Sequence, residues 1–281
     1  MVISVSMRTE LHFHLLPGVD DGPRDDAEAI ELARLAVADG TSRVVATSHA
    51  RLSEIAALPA LTARLQTILA QAGVGLELRH GAELSPDDVG GLDQDELEII
   101  AHGPPGERWV LLEAPLVPSD VSLESAANEL RRRGFGVLIG HPERSPMTPA
   151  AMVHELAALG AVIQINASSL TGQHGPQARA AALSLARSRR PFLLASDAHS
   201  PVRPPQLTAA ASELLAAGID NAAVRAAVDW LPEMILRQGL GAAHGPGAQG
   251  PHRHRLRLGQ RERAASRIAR SAQVFLDRRR G

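Results

Sequence analysis

Short apolar runs recur along this chain, and seven of them close on a polar or metal-binding side chain. The endings are Leu11-His12-Phe13-His14, Val44 to His49, Leu76 to Glu83, Val110 to Glu113, Val137 to His141, Val162 to Asn166, and Phe192 through Asp197 to His199. Ala- and Arg-rich stretches of helical spacing separate most of them. Asp25 or Asp26 caps a helix carrying Ile30, Leu32, Leu35 and Val37, with Gly40 as its stop. Ser122 opens a helix that closes at Gly134, Thr148-Pro149 one that closes at Gly160, and Pro176 one that carries Leu183 and Leu185. Short helices are expected over Gln206 to Gly218, Asn221 to Asp229 and Pro232 to Gln238, and Leu52 to Gly73 reads as a helix interrupted at Pro59.

Strands that are apolar throughout, alternating with helices, predict a parallel sheet covered on its outer face. Seven such strands favour a distorted TIM-like (β/α)7 barrel over an open doubly wound sheet. In barrels of this kind the C-terminal ends of the strands form the active-site face. A strand whose last residue is a ligand therefore aims it at that face.

Each ending has an ordinary reading beside the chemical one. Residues two apart in a strand share a side, so His12 and His14 can grip one ion. Asp20-Asp21-Gly22, just beyond, is by itself a common turn. His49 alone would more often be a surface or satisfied core histidine. Glu83 and Glu113 end apolar strands, where a carboxylate is costly unless it is paired or holds a metal; their ordinary reading is a salt bridge with an arginine at the barrel mouth. His141-Pro142-Glu143-Arg144 and Asp197-Ala198-His199 complete the series. Imidazoles and carboxylates in that number suit transition metals such as manganese, iron or zinc.

Composition changes the picture in three ways. The chain of 281 residues contains no cysteine, which excludes a disulfide framework, a thiolate metal site and a phosphocysteine intermediate. The segment from Met1 to Glu10 lacks the long apolar core of a signal peptide, and no run reaches the ~20 apolar residues of a membrane span, so a cytoplasmic protein is expected. Met7 stands just before the first strand, and residues 1–6 read as a lead or an alternative start. The net charge of −2 is uneven: His252 to Gly281 carries ten arginines against Glu262 and Asp277. The barrel is expected over 1–240, and 241–281 reads as a Gly/Pro-rich linker and a basic tail, solvated or helical, suited to an anionic surface, nucleic acid or a partner.

From Glu10 to about Leu236 the chain resembles the polymerase-and-histidinol-phosphatase (PHP) superfamily, and within it the bacterial manganese-dependent tyrosine phosphatases found with capsule and exopolysaccharide genes. The resemblance is carried by His12 through Gly22, Ala46-Thr47-Ser48-His49, Gly81-Ala82-Glu83, Leu111-Leu112-Glu113, Gly140 through Arg144, Gln164 through Gly172, Ala195 through His199, Arg203-Pro204-Pro205 and Pro232 through Leu236. It implies up to three ions, Mn2+ above Fe or Zn. His12, His14, Glu83 and Asp197 would hold one; Glu83 would bridge to a second on Glu113 and His141; Asp21, His49 and His199 would hold the third, with Asp20 as the alternative to Asp21. Arg144 and Arg203 are similar to the family's phosphate-binding arginines. Two positions depart from the pattern: Glu10 stands for the usual aspartate, and Thr47-Ser48-His49-Ala50 for Thr-Pro-His-His.

The expected activity is hydrolysis of phosphotyrosine on protein, in a setting that includes a bacterial tyrosine kinase as partner, by in-line attack of a metal-bound hydroxide. A tyrosyl leaving group has a free pKa of ~10, far below an alkyl alcohol. Arginine's planar fork suits the remaining phosphoryl oxygens. The alternatives are histidinol-phosphate phosphatase or another PHP phosphoesterase, and a non-catalytic scaffold barrel.

Overall fold

The computed structural model describes residues 8–188 and 190–241. The basic tail and most of the linker lie outside the described residues. Seven parallel strands, β1 (Arg8–Phe13), β2 (Thr41–His49), β3 (Glu77–Leu84), β4 (Trp109–Glu113), β5 (Gly136–Gly140), β6 (Val162–Asn166) and β7 (Phe192–Ala195), pair in sequence order. The helices are α1 (Asp26–Ala38), α2 (Leu58–Gln71), α3 (Gln94–Ile100), α4 (Leu123–Arg132), α5 (Ala150–Ala158), α6 (Ala167–Leu170), α7 (Gly175–Arg187), α8 (Leu207–Ala216), α9 (Asn221–Arg225) and α10 (Leu231–Gln238).

The barrel nearly closes, because the chain just past β7 meets β1. Asp197 N donates to His12 O at 3.1 Å and His14 N to Ala198 O at 2.9 Å. The buried Glu10 carboxylate stitches the same seam by accepting from Ser196 N at 2.8 Å and from the Thr41 hydroxyl at 3.2 Å. This contact between first and last strands excludes the open doubly wound alternative.

Both faces of the strands are buried, as a helix-covered parallel sheet requires. Outward residues such as Val44, Ala46, Leu78, Leu112 and Ile139 pack against α1 to α4. A second outer cluster joins Ile163, Ile165 and Leu194 to α7 and α8. The inward row, Leu11, Val45, Trp109, Leu111, Leu138, Val162 and Leu193, fills the barrel and is closed from below by Leu231, Ile235 and Leu240. The segment from Leu231 to Leu240 is thus a plug: Trp109 Nε1 donates to Ile235 O at 3.2 Å, and Leu240 N donates to Glu107 O at 2.9 Å. A Cβ on Gly136 would collide with the Leu240 carbonyl, so glycine there is what lets the plug seat.

Local signals explain most helix ends. Asp25 caps α1 by accepting from Glu28 N, and Ser122 caps α4 by accepting from Ser125 N. Gly134 and Gly160 follow their helices with positive φ. The reading of Leu52 to Gly73 as one interrupted helix needs correction. Pro59 lies in the first turn of α2, where its missing N–H costs nothing, and the preceding residues form two short 3-10 turns, Ala50–Leu52 and Ile55–Ala57. The final helices run on as one path, with a π turn (Ala226–Trp230) between α9 and α10. Helix α3 has no counterpart in the expected set; its start carries a capping box between Asp93 and Glu96.

Candidate metal centre at the barrel mouth

Strand register sets the site. His49 at the end of β2 lies opposite Glu83 of β3, and Glu113 of β4 lies opposite Gly140, one residue before His141. Asn166 of β6 lies opposite Ala195 of β7, two residues before Asp197. Inward positions at successive strand ends therefore form one ring at the C-terminal mouth. Two members leave the strand to join it: His141 (φ 32°) and Asp197 (φ 51°) are the non-glycine residues with positive φ among the described residues. That backbone is costly for residues bearing a Cβ, and it concentrates where function holds it.

The side chains converge on Glu83, which is buried. Its Oε1 lies 3.2 Å from His12 Nε2 and 3.0 Å from His141 Nε2, and its Oε2 lies 3.2 Å from His14 Nε2 and 3.1 Å from His49 Nδ1. Asp197 Oδ1 is 3.3 Å from His12 Nε2. On the outer side Asp21 Oδ1 is 3.4 Å from His49 Nε2 and 3.3 Å from His199 Nε2.

Hydrogen bonds on the far ring nitrogens show what this arrangement wants. His12 Nδ1 lies 3.1 Å from Gln164 Oε1, His14 Nδ1 2.7 Å from Asp20 Oδ2, and His199 Nδ1 2.8 Å from the Asp197 carbonyl. All three partners are acceptors, so in each ring the proton belongs on Nδ1. The Nε2 lone pair then faces carboxylate oxygens at 3.2–3.3 Å. Lone pairs set against anions are unfavourable unless a cation stands between them, and outer hydrogen bonds of this kind are how proteins orient metal-binding imidazoles. Four combinations bring ligand atoms within 4.8 Å of one another: His14 with Asp21, His49 and His199; His12 with His14 and Glu83; His12 with His141 and Asp197; and His49 with Glu83 and Glu113. The donor set fits divalent metal.

Charge tells the same story. Burial opposes ionisation of Glu83 and Asp197, yet the surrounding imidazoles hold both carboxyls well below the usual range. Burial likewise opposes a second proton on His14, but Asp20 and Glu83 outweigh it and push the ring up to about 10, so without a cation a proton on Nε2 takes the place facing Glu83 that a metal would occupy. Glu113, desolvated and beside the Glu83 charge, is pushed up to about 7. The ring is short of positive charge.

All nine expected metal residues, His12, His14, Asp21, His49, Glu83, Glu113, His141, Asp197 and His199, enter these groups. Their partition differs in part from the expected one, since His49 stands between Glu83 and Asp21 and His14 reaches the outer group. The structure also separates the adjacent aspartates. Asp21, more than half exposed, faces His49 and His199, whereas Asp20 holds His14 and accepts from Gly22 N and His49 N. The two expected arginines both face Asp197: Arg144 Nη1 is 2.5 Å from Oδ2, and Arg203 Nη2 is 3.7 Å away.

Several residues were named within the sequence runs without a role, and Arg51 was not named at all. Gln164 accepts from the His141 backbone N–H at 2.9 Å while holding His12, and Asn166 Nδ2 donates to Asp197 Oδ2 at 2.9 Å. Two polar residues at i and i+2 inside an apolar strand were the available signal, since both must point into the barrel. Buried Glu143 accepts from Asn166 N at 2.9 Å and from the Ser169 hydroxyl at 2.7 Å, which ties the loop carrying Arg144 to the start of α6. Arg51, one turn past β2, places Nη1 3.5 Å from Glu113 Oε1; its spacing carries no signal.

Residues 8–233 match the family described as "Capsular polysaccharide synthesis, CpsB/CapC". The Bacillus subtilis (strain 168) protein named "Tyrosine-protein phosphatase YwqE" is 31% identical over 198 residues, covering 68% of this chain and 77% of its own. CapC of Staphylococcus aureus is 33% identical over 199 residues, covering 68% and 76%. Among solved structures, one from work on YwqE of Bacillus subtilis and CpsB of Streptococcus pneumoniae, described as unique metal-dependent tyrosine phosphatases, aligns with a TM-score of 0.71 at 26% identity, covering 86% of this chain and 100% of that one. A phosphotriesterase homology protein from Escherichia coli, with phosphate in its active site, aligns with a TM-score of 0.58 at 15% identity over 83% of this chain and 99% of its own, a likeness of fold alone. The chain belongs to the CpsB/CapC family.

Proposed function

We propose that this protein is a metal-dependent phosphatase that hydrolyses phosphotyrosine on protein and acts in capsule or exopolysaccharide regulation. The observation that carries the reading is the set of Nε2 lone pairs turned onto Glu83, Asp197 and Asp21 beside two arginines. The names of the YwqE and CpsB relatives support the substrate class. A scaffold role would not need nine such side chains at one barrel mouth, with the outer nitrogens of His12, His14 and His199 each hydrogen-bonded.

Glu83, with His12, His14, His49, His141, Glu113 and Asp197, would hold the inner ions, and Asp21, His49 and His199 an outer one. Manganese is the proposed metal. Divalent cations there supply an activated water and neutralise phosphoryl charge. Arg144 and Arg203 bind the remaining phosphoryl oxygens, and Asp197 orients both guanidinium groups. Gln164 and Asp20 keep the Nδ1 protons of His12 and His14 in place, so those rings cannot turn away. The proposed setting is the cytoplasm, where a tyrosine kinase finds its ATP. Such a kinase is the proposed source of substrate, and the basic tail is assigned to an anionic surface. Among the described residues no helix is long and apolar enough to cross a membrane.

The test is hydrolysis of p-nitrophenyl phosphate and of a phosphotyrosine peptide by protein stripped with chelator, then supplied with Mn2+. Activity should vanish and return, and thiol reagents should leave it untouched. Full activity after exhaustive stripping contradicts the reading.

A further inference from the structure

Arg51 meets the metal-binding ring at Glu113, whereas Arg144 and Arg203 meet it at Asp197. It sits on the 3-10 turn (Ala50–Leu52) directly after His49, and its side chain is 48% exposed. Among the described residues its ion-pair partner is Glu113, at 3.5 Å and through one guanidinium nitrogen. That leaves most of the guanidinium's donors free. Between Arg51 and Arg144 the ring places Glu113, Glu83, His12 and Asp197 in succession. Arg51 therefore meets the ring at a different carboxylate from the one that holds the arginines assigned to the reacting phosphate. Leu52, next to Arg51 in the same 3-10 turn, and Leu116 and Val117, in the loop that follows Glu113, are 53%, 38% and 69% exposed. A half-exposed cation at the edge of a site, on a turn that also exposes an apolar side chain, fits a segment bearing an anionic side chain.

We propose that Arg51 is a specificity residue, which binds the carboxylate of an aspartate or glutamate adjacent to the phosphotyrosine while Leu52, Leu116 and Val117 support the segment alongside. The inference rests on the phosphotyrosine-protein reading and adds the kind of segment the site prefers. An ion pair at a half-exposed position is worth a factor of about 2 to 5 and weakens with salt.

The experiment uses the full-length, manganese-loaded protein and phosphotyrosine peptides that differ only by Glu or Gln immediately before or after the phosphotyrosine. Wild-type protein should favour one Glu peptide over its Gln partner by about 2- to 5-fold in kcat/KM, mostly through KM, and the preference should fade in concentrated salt. Arg51→Ala should bring the ratio close to one, and Arg51→Glu should invert it. Equal rates on Glu and Gln peptides by wild-type protein overturn the proposal whether or not the variants fold. So does a preference that survives both substitutions, or a loss in Arg51→Ala that is equal for both peptides. If p-nitrophenyl phosphate is hydrolysed and no peptide is, the phosphotyrosine-protein reading itself has failed, a result distinct from an absent preference.

Discussion

At the scale of single residues, the site divides into groups that hold charge and groups that hold orientation. Arg144 and Arg203 belong to the first kind, and both touch Asp197 rather than the centre of the ring. Arg144→Ala and Arg203→Ala should therefore lower phosphatase turnover roughly 10²-fold or more, by analogy with removal of one oxyanion donor, while metal content stays at the wild-type level. Normal turnover in both variants would remove them from the site. His102 makes a different test, away from the ring. It stacks near Trp109 with ring centroids 5.2 Å apart, its Nε2 is buried without a hydrogen-bond partner, and burial pushes its imidazole down to about 3. A histidine kept neutral by the fold takes its proton more readily once unfolded. Its contribution is fully present above pH ~6.5 and is lost as pH falls toward 3, at up to about 1.4 kcal/mol per pH unit. Between pH 7 and pH 5 the wild-type protein should lose about 2 kcal/mol more stability than His102→Phe in urea unfolding; identical pH slopes would refute the assignment. The ligands were readable as residues because each ends an apolar run. Their partition was not, since it depends on how far His141 and Asp197 turn out of their strands, and positive φ at a non-glycine residue leaves no mark in the sequence.

At the scale of elements, the seven strands were readable because their apolar runs are short and bounded, and six of the seven reach or closely approach the ring. The last was read too long: β7 stops at Ala195, and Asp197 and His199 lie on the loop that closes the barrel. Proline misled at Pro59, where the same residue type that breaks a helix interior also favours a first turn. Gln164 and Asn166 had the right spacing but needed the register of β6 against β5 and β7 to reveal their targets. Helix α10 was expected merely as a short terminal helix. Its role as the barrel's plug follows from Leu231, Ile235 and Leu240 meeting the inward row, which no local pattern encodes.

At the scale of the molecule, that plug sets where the chain can be cut. We propose that the barrel is complete at Gly241 and that 242–281 is an appendage. Deleting 242–281 should leave a folded protein with nearly unchanged turnover on a small aryl phosphate. Any loss should appear with a macromolecular or surface-bound substrate and fade with salt, as expected for arginines acting over a Debye length of about 10 Å at 0.1 M. Extending the deletion back to residue 231 should cost several kcal/mol, since each of Leu231, Ile235 and Leu240 is worth about 2 kcal/mol or more when buried. A tail deletion that leaves the protein insoluble or inactive on the small substrate would place the tail inside the fold. The claim on which the rest depends is that the ring of imidazoles and carboxylates holds metal. The most direct measurement is an anomalous difference map, collected at the manganese absorption edge, from crystals of the manganese-loaded protein. Up to three peaks are expected within coordination distance of Glu83, Asp197 and Asp21, each also reached by an imidazole nitrogen. A fully active, manganese-supplied protein whose map is empty inside that ring would contradict it.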